Sequence, residues 1–308
     1  MKSWKKVLLG AVSGLLALSL AGCGGEKKES SEPYVPKELK VQFVPSQSAE
    51  TLEAKAKPLE KLLKKELDIP VKVSVATDYN TIVEALDANQ IDVGFLPPNA
   101  YVEAHERSNA TVLLQALRYG INQKGGVAEK TNKLVDSYRA EVLVAKDSKI
   151  KDVKDLKGKT IAVQDVTSSA GYVYPVAELQ DKGIDINKDV KTVQVKGHDQ
   201  AVLSVLNGDV DAAFVFEDAR LNVLKDQPDI MKKVIPIYFT KAIPNDTITV
   251  RGDMSKEWKE KIQQAFINIG KTKEGKKIIS SLYTHEGYVK TSDKEFDTVR
   301  EYAKKVGQ

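Results

Sequence analysis

From Leu39 onward, short apolar runs alternate with amphipathic stretches of helical spacing. This pattern restricts the chain to βαβ units built around mostly parallel sheets. The reading predicts strands at Leu39–Val44, Val71–Ala76, Ile91–Leu96 and Thr111–Leu117, with helices near Thr51–Leu67, Asn80–Ala88 and Asn99–Arg107. A second series has strands at Glu141–Ala145, Thr160–Val163, Val190–Val195, Val210–Val215 and Val234–Tyr238. Its helices lie near Gly171–Lys182, Asp199–Leu206 and Asp218–Lys225. From Ser255 the pattern is helical, with Trp258, Ile262, Phe266 and Ile269 spaced by three and four. A weak internal repeat links the two series: Tyr79 stands thirteen residues before Asp92, and His198 thirteen residues before Asp211. Tyr79 and His198 are therefore expected at equivalent loop-to-helix junctions, and in open α/β sheets such junctions are where ligands bind.

The first residues say where such a fold works. Lys2, Lys5 and Lys6 precede an apolar stretch from Val7 to Leu20 and then Leu20-Ala21-Gly22-Cys23. That is the layout of a secretory signal with a processing site, too short for a comfortable membrane span; an uncleaved anchor helix is the alternative. Cys23 is the one cysteine in the sequence, so it forms no internal disulfide, and its position argues against a metal-ligand or nucleophile role. Residues 23–38 are rich in Gly, Glu, Lys, Ser and Pro and read as a flexible tether. Composition is ordinary for a globular protein at 42% hydrophobic and 29% charged residues. Removing residues 1–22 takes three lysines from 47 basic residues and none from 43 acidic ones. The near-neutral remainder gives no electrostatic case for nucleic acid.

The strongest local signal runs from Lys159 through Thr167-Ser168-Ser169-Ala170-Gly171 to Tyr172: a strand, a turn of small hydroxyl residues, then a helix. Free backbone N–H groups at a helix start carry partial positive charge and suit a tetrahedral oxyanion. Simple N-capping by Ser or Thr is the plainer account.

The order Asp-x-x-Ser-x-x-Gly-Tyr after Leu-Lys-Gly-Lys-Thr, then Gly-His-Asp, Asn-Gly-Asp-Val-Asp-Ala and Ile-Pro-Asn-Asp-Thr-Ile, resembles the phosphonate-binding family of ABC-transporter substrate-binding proteins. The similarity runs from Leu39 to Tyr302. It implies a two-lobed α/β periplasmic-binding-protein fold of type II, with a ligand cleft between the lobes and two crossing strands as hinge near Tyr138–Glu141 and Asn245–Thr249. On this reading residues 39–139 and 248–308 form one lobe and 140–247 the other. Leu-Ala-Gly-Cys likewise resembles the bacterial lipobox, which implies diacylglycerol on Cys23 and cleavage before it. The implied partners are a phosphonate, phosphite or related phosphorus oxyanion, an ABC permease, and the outer face of the cytoplasmic membrane through the lipid, with a Gram-positive cell as the expected setting. The protein is expected to be a monomer without cofactor or metal.

The resemblance places the phosphoryl-binding turn on Ser168, Ser169 and Ala170, where the family pattern is Ser-Thr-Ser, so one hydroxyl is lost at Ala170. It assigns ligand contacts to Tyr79, Tyr138, His198 and Asp246, and a carboxylate for a ligand ammonium to Glu217 or Asp218. Each has a plainer reading: core tyrosines, a helix-capping histidine, a turn aspartate, first-turn helix acids. The proposed site is expected to contain no lysine or arginine, neutral dipoles holding the anion while Asp246 selects a monoprotonated or zwitterionic ligand. Two other readings stay open. One is the same fold with a sulfonate or heterocycle as cargo. The other is a hydrolase with Ser168 or Ser169 as nucleophile and His198 as base, although the Gly-x-Ser-x-Gly surroundings of a nucleophile elbow are missing.

Overall fold

The computed structural model describes residues 32–124 and 126–308. The expected signal segment and Cys23 lie outside the described residues. In chain order the elements are β1 Leu39–Phe43, α1 Ala49–Leu67, β2 Val71–Val75, α2 Tyr79–Asp87, β3 Val93–Leu96, α3 Pro98–Ser108, β4 Thr111–Lys124, β5 Val127–Val135, β6 Ser137–Ala145, β7 Thr160–Val163, α4 Tyr174–Asp181, β8 Lys191–Gln194, α5 His198–Asn207, β9 Ala212–Phe216, α6 Ile230–Lys233, β10 Val234–Pro244, β11 Thr247–Val250, α7 Lys256–Ile269, α8 Lys273–Tyr283, β12 Gly287–Lys290 and α9 Asp297–Lys305. They build two lobes. One carries a sheet ordered β12-β4-β11-β3-β1-β2 with β5 paired to β4, the other a sheet ordered β10-β6-β9-β7-β8.

The repeat read from the sequence is present in the hydrogen bonding. In one lobe Asp92 donates its N–H to Lys40 O and accepts from Lys40 N at its carboxylate; in the other Asp211 does the same with Thr160. Each acid thus pins the central parallel strand, β1 or β7, to the strand that follows the equivalent helix, α2 or α5. Because the side-chain period of a strand is two, this fixes register and keeps Val41 and Phe43, or Ile161 and Val163, in the core.

Helices cover both faces of each sheet. In α1, Leu52, Ala56, Leu59, Leu63 and Leu67 recur at spacings of three and four and are all buried. Each leucine so buried contributes about 1.5–3 kcal/mol. The segment expected as tether up to residue 38 is held from Tyr34 onward: its ring lies under the Arg251 guanidinium at 3.7 Å, and its backbone bridges to Asp253 and Ser255.

The chain crosses between sheets twice, at Asp136 and at Asn245–Asp246. The crossings touch: Asp136 O accepts from Asn245 N at 2.7 Å and from Gln115 Nε2 at 2.8 Å. The C-terminal α9 packs on α3 of one lobe and α4 of the other, with Tyr302 stacked on Tyr174 at 4.0 Å and bonded to Glu178. Two differences from the sequence reading matter. Strand β4 runs on to Lys124 and returns as β5, whose tip carbonyl at Gly126 accepts from the buried Arg220 of the second lobe. The helix expected at Asp218–Lys225 is a single 3₁₀ turn, Ala219–Asn222.

Candidate functional site

A cavity of about 240 Å³ lies between the lobes, just below the range of about 300–1,000 Å³ common for small-molecule sites. Tyr79 and His198 are the first residues of α2 and α5, at the carboxyl ends of β2 and β8, and Ser168 follows β7. Tyr138 and Asp246 stand on or beside the two crossings. The fold therefore brings Tyr79, Tyr138, Ser168, Ala170, His198 and Asp246 to one cavity wall. Ser169, Glu217 and Asp218 are buried beside it but do not line it.

The hydroxyl turn begins a helical segment two residues earlier than expected, as a π-type turn at Ser169–Val173 that runs into α4. Ser168 Oγ accepts from Gly171 N at 3.1 Å, and Gly171 must be glycine because a Cβ there would sit 1.9 Å from Gln164 Cγ. Capping uses a lone pair of the Ser168 hydroxyl and leaves its hydrogen for donation, so the plain and the functional readings coexist. Ser169 Oγ reaches across the cleft and accepts from Asn99 N at 2.9 Å. Thr167 is turned to Asp165.

His198 makes no side-chain cap. Its ring is buried edge-on against Phe216, with centroids 4.8 Å apart, and Nδ1 has no protein partner. Burial depresses its pKa to about 3, so it meets a ligand as neutral imidazole. Tyr79 and Tyr138 have raised pKa values, from burial first and then from the negative charge of Asp246, so both are phenols that donate. No hydrogen bond joins His198 to Ser168 or Ser169 among the described residues, and a base titrating near 3 is poorly matched to neutral pH.

Sequence reasoning missed three contributors. His285, buried on the loop after α8, places Nε2 3.2 Å from Asp246 Oδ2. Lys55 of α1 and Arg118 of β4 line the cavity, which corrects the expectation of a site free of lysine and arginine. Arg118 donates Nη2–H to Asp218 Oδ1 at 2.9 Å from the opposite lobe, and its guanidinium lies 5.3 Å from the Tyr138 ring centroid. Glu217 is engaged twice by Arg139. The carboxylates expected to receive an ammonium group thus already hold guanidinium partners. Nothing local marks Arg118: it follows directly on the run read as the strand Thr111–Leu117, and its role depends on two lobes meeting.

The lobes also touch at the cavity rim. His198 N donates to Ser46 O at 3.0 Å and Ser48 N to Asp199 Oδ2 at 3.2 Å. Gly197 permits this approach, since a Cβ there would lie 3.1 Å from Gln47 Cα and 2.2 Å from Asp199 Oδ1. No helix among the described residues is long and apolar enough to cross a membrane.

Residues 41–296 match the profile of a family described as ABC transporter, phosphonate, periplasmic substrate-binding protein. The chain belongs to that family. It is 28% identical over 232 residues to the phosphate-import protein PhnD of Mycolicibacterium smegmatis, covering 72% of this chain and 69% of that protein. It is 28% identical over 251 residues to the phosphonates-binding periplasmic protein of Escherichia coli, covering 80% and 70%. The solved structure of PhnD1 from Prochlorococcus marinus in complex with methylphosphonate superposes with a TM-score of 0.74 at 21% identity, covering 88% of this chain and 99% of that one. Membership of this phosphonate-binding family makes the protein an extracytoplasmic substrate-binding component of an ABC importer, and the fold likeness agrees with the two-lobed type II architecture.

Proposed function

We propose that the protein captures a phosphonate, phosphite or related phosphorus oxyanion between its lobes and delivers it to an ABC permease, tethered to the outer face of the membrane by lipid on Cys23. The observation that carries this is the set of donors in one cavity wall: phenols of Tyr79 and Tyr138, the hydroxyl of Ser168, the backbone at Ala170 and the neutral imidazole of His198, with Asp246 in the same wall. Donors of this kind suit a tetrahedral oxyanion. Asp246, with His285 on one oxygen, accepts from a protonated oxygen and repels a fully ionised one. Bonds from both lobes to one ligand would stabilise the closed arrangement, which makes capture and closure one event. The likeness to relatives named for phosphate, phosphonates and phosphite supports the ligand class.

Calorimetric titration with phosphite, methylphosphonate, aminoethylphosphonate, phosphate and sulfate tests the reading. Tight binding of at least one phosphorus oxyanion with sulfate excluded is expected. Equal tight binding of sulfate would overturn it, because sulfate offers no proton to Asp246.

A further inference from the structure

The charged side chains in the cavity wall are Lys55, Arg118 and Asp246, two cations and one acid. Arg118 is nearly buried, yet apart from Nη2 its nitrogens have no protein acceptor among the described residues and are not sealed from the cavity. The groups that could receive a cation are spent: Arg139 takes both oxygens of Glu217, and Arg118 takes Oδ1 of Asp218. Asp218 Oδ2 is sealed off, out of reach of a ligand.

Phe216 lines the cavity next to both His198 and Arg118: its ring centroid lies 4.8 Å from that of His198 and 5.6 Å from the Arg118 guanidinium carbon. A tetrahedral group at Ser168, Tyr79 and His198 would occupy part of a cavity of about 240 Å³ whose wall also includes Arg118. A guanidinium fork matches a carboxylate, and the low-dielectric surroundings strengthen that contact relative to water.

Building on the phosphorus-oxyanion reading above, we propose that this cavity selects organophosphonates whose short substituent ends in a carboxylate or similar anionic acceptor, held by Arg118, and discriminates against aminoalkyl phosphonates of the same length. An ammonium group in that position would face Arg118 with no carboxylate to accept it. Asp246, in the same cavity wall, is taken by His285 and, on the oxyanion reading, by the phosphoryl proton.

Calorimetry on the mature chain at neutral pH tests this with phosphonoacetate against aminomethylphosphonate, 3-phosphonopropionate against 2-aminoethylphosphonate, and methylphosphonate as the reference without a polar substituent. Within each pair the carboxylate should bind at least about tenfold more tightly. The double variant Arg118→Gln with Asp218→Asn keeps a neutral hydrogen-bonded pair. It should shrink that ratio to within about threefold. Equal or tighter binding of the aminophosphonates to the wild type overturns the proposal, whether or not the double variant folds. So does a double variant that loses methylphosphonate as severely as phosphonoacetate, because Arg118 would then be holding the phosphoryl group. Failure of all these ligands, methylphosphonate and phosphite included, would instead remove the oxyanion reading, and this proposal with it.

Discussion

Ser169 and Asn99 belong to opposite lobes, and the hydroxyl oxygen of the first accepts the backbone N–H of the second at 2.9 Å. Asn99 is the second residue of α3, whose N-cap position is Pro97 and carries no capping side chain. One lobe therefore caps a helix of the other, and under the proposed closure this cap would exist only with the cleft shut. Because Ser169 does not line the cavity, Ser169→Ala tests closure separately from ligand contact. Leaving a buried N–H without an acceptor costs about 1–3 kcal/mol. Ligand affinity should fall by roughly fivefold to a hundredfold, with X-ray scattering showing a larger fraction of open molecules at subsaturating ligand. Unchanged affinity and an unchanged scattering profile would rule this coupling out.

His285 orients the cavity carboxylate from behind: Nε2 lies 3.2 Å from Asp246 Oδ2 and Nδ1 3.3 Å from Tyr288 Oη. His285→Phe keeps a ring in the aromatic cluster with Phe95 and Tyr283 but frees Asp246 to rotate and strands the Tyr288 hydroxyl. Losing these hydrogen bonds costs about 1–3 kcal/mol, read as a thermal midpoint lower by several degrees and weaker binding of methylphosphonate. A variant with wild-type affinity would show that Asp246 needs no support.

The strand-helix alternation was legible because buried parallel strands are apolar runs and their covering helices carry spacings of three and four, as Leu52, Ala56, Leu59 and Leu63 do. The thirteen-residue register was legible because Asp92 and Asp211 perform the same local bond in each lobe. The β4–β5 hairpin was not, since Glu129, Lys130 and Lys133 leave it without a buried face. Tyr79, Ser168 and His198 could be read from sequence because each begins or caps a helix next to a strand end. Arg118, Lys55 and His285 could not. Arg118 and His285 are placed by partners 100 and 39 residues away, and Gln47, which accepts from Lys55, is itself bonded to Leu282, 235 residues away.

Ala170 stands in the cavity wall, at the position where the sequence resemblance implies a hydroxyl. Its backbone is already positioned by the turn, so Ala170→Ser adds a donor at small steric cost. One extra hydrogen bond to an oxyanion is worth about 0.5–1.5 kcal/mol, and affinity for phosphite or methylphosphonate should rise by about two- to tenfold. A loss of affinity in a variant with wild-type thermal stability would mean that the small side chain is there to make room for the ligand.

Two buried groups set opposite limits on stability with pH. His198 titrates near 3 in the folded state against 6.5 unfolded. The unfolded chain binds more protons between those values, and stability falls as pH drops through that window. Glu141 is raised from 4.5 to about 8, mainly by burial and against the pull of Arg220, and neither of its carboxyl oxygens has a hydrogen-bond partner. Here the folded chain holds the extra proton, so stability falls as pH rises from about 4.5 to 8. Each effect is on the order of a few kcal/mol. Thermal melts from pH 4 to 9 should show Glu141→Gln flattening the alkaline decline and exceeding the wild type at pH 9. His198→Gln should flatten the acid decline instead. If Glu141→Gln follows the wild-type curve across the alkaline range, Glu141 does not hold its proton in the folded protein.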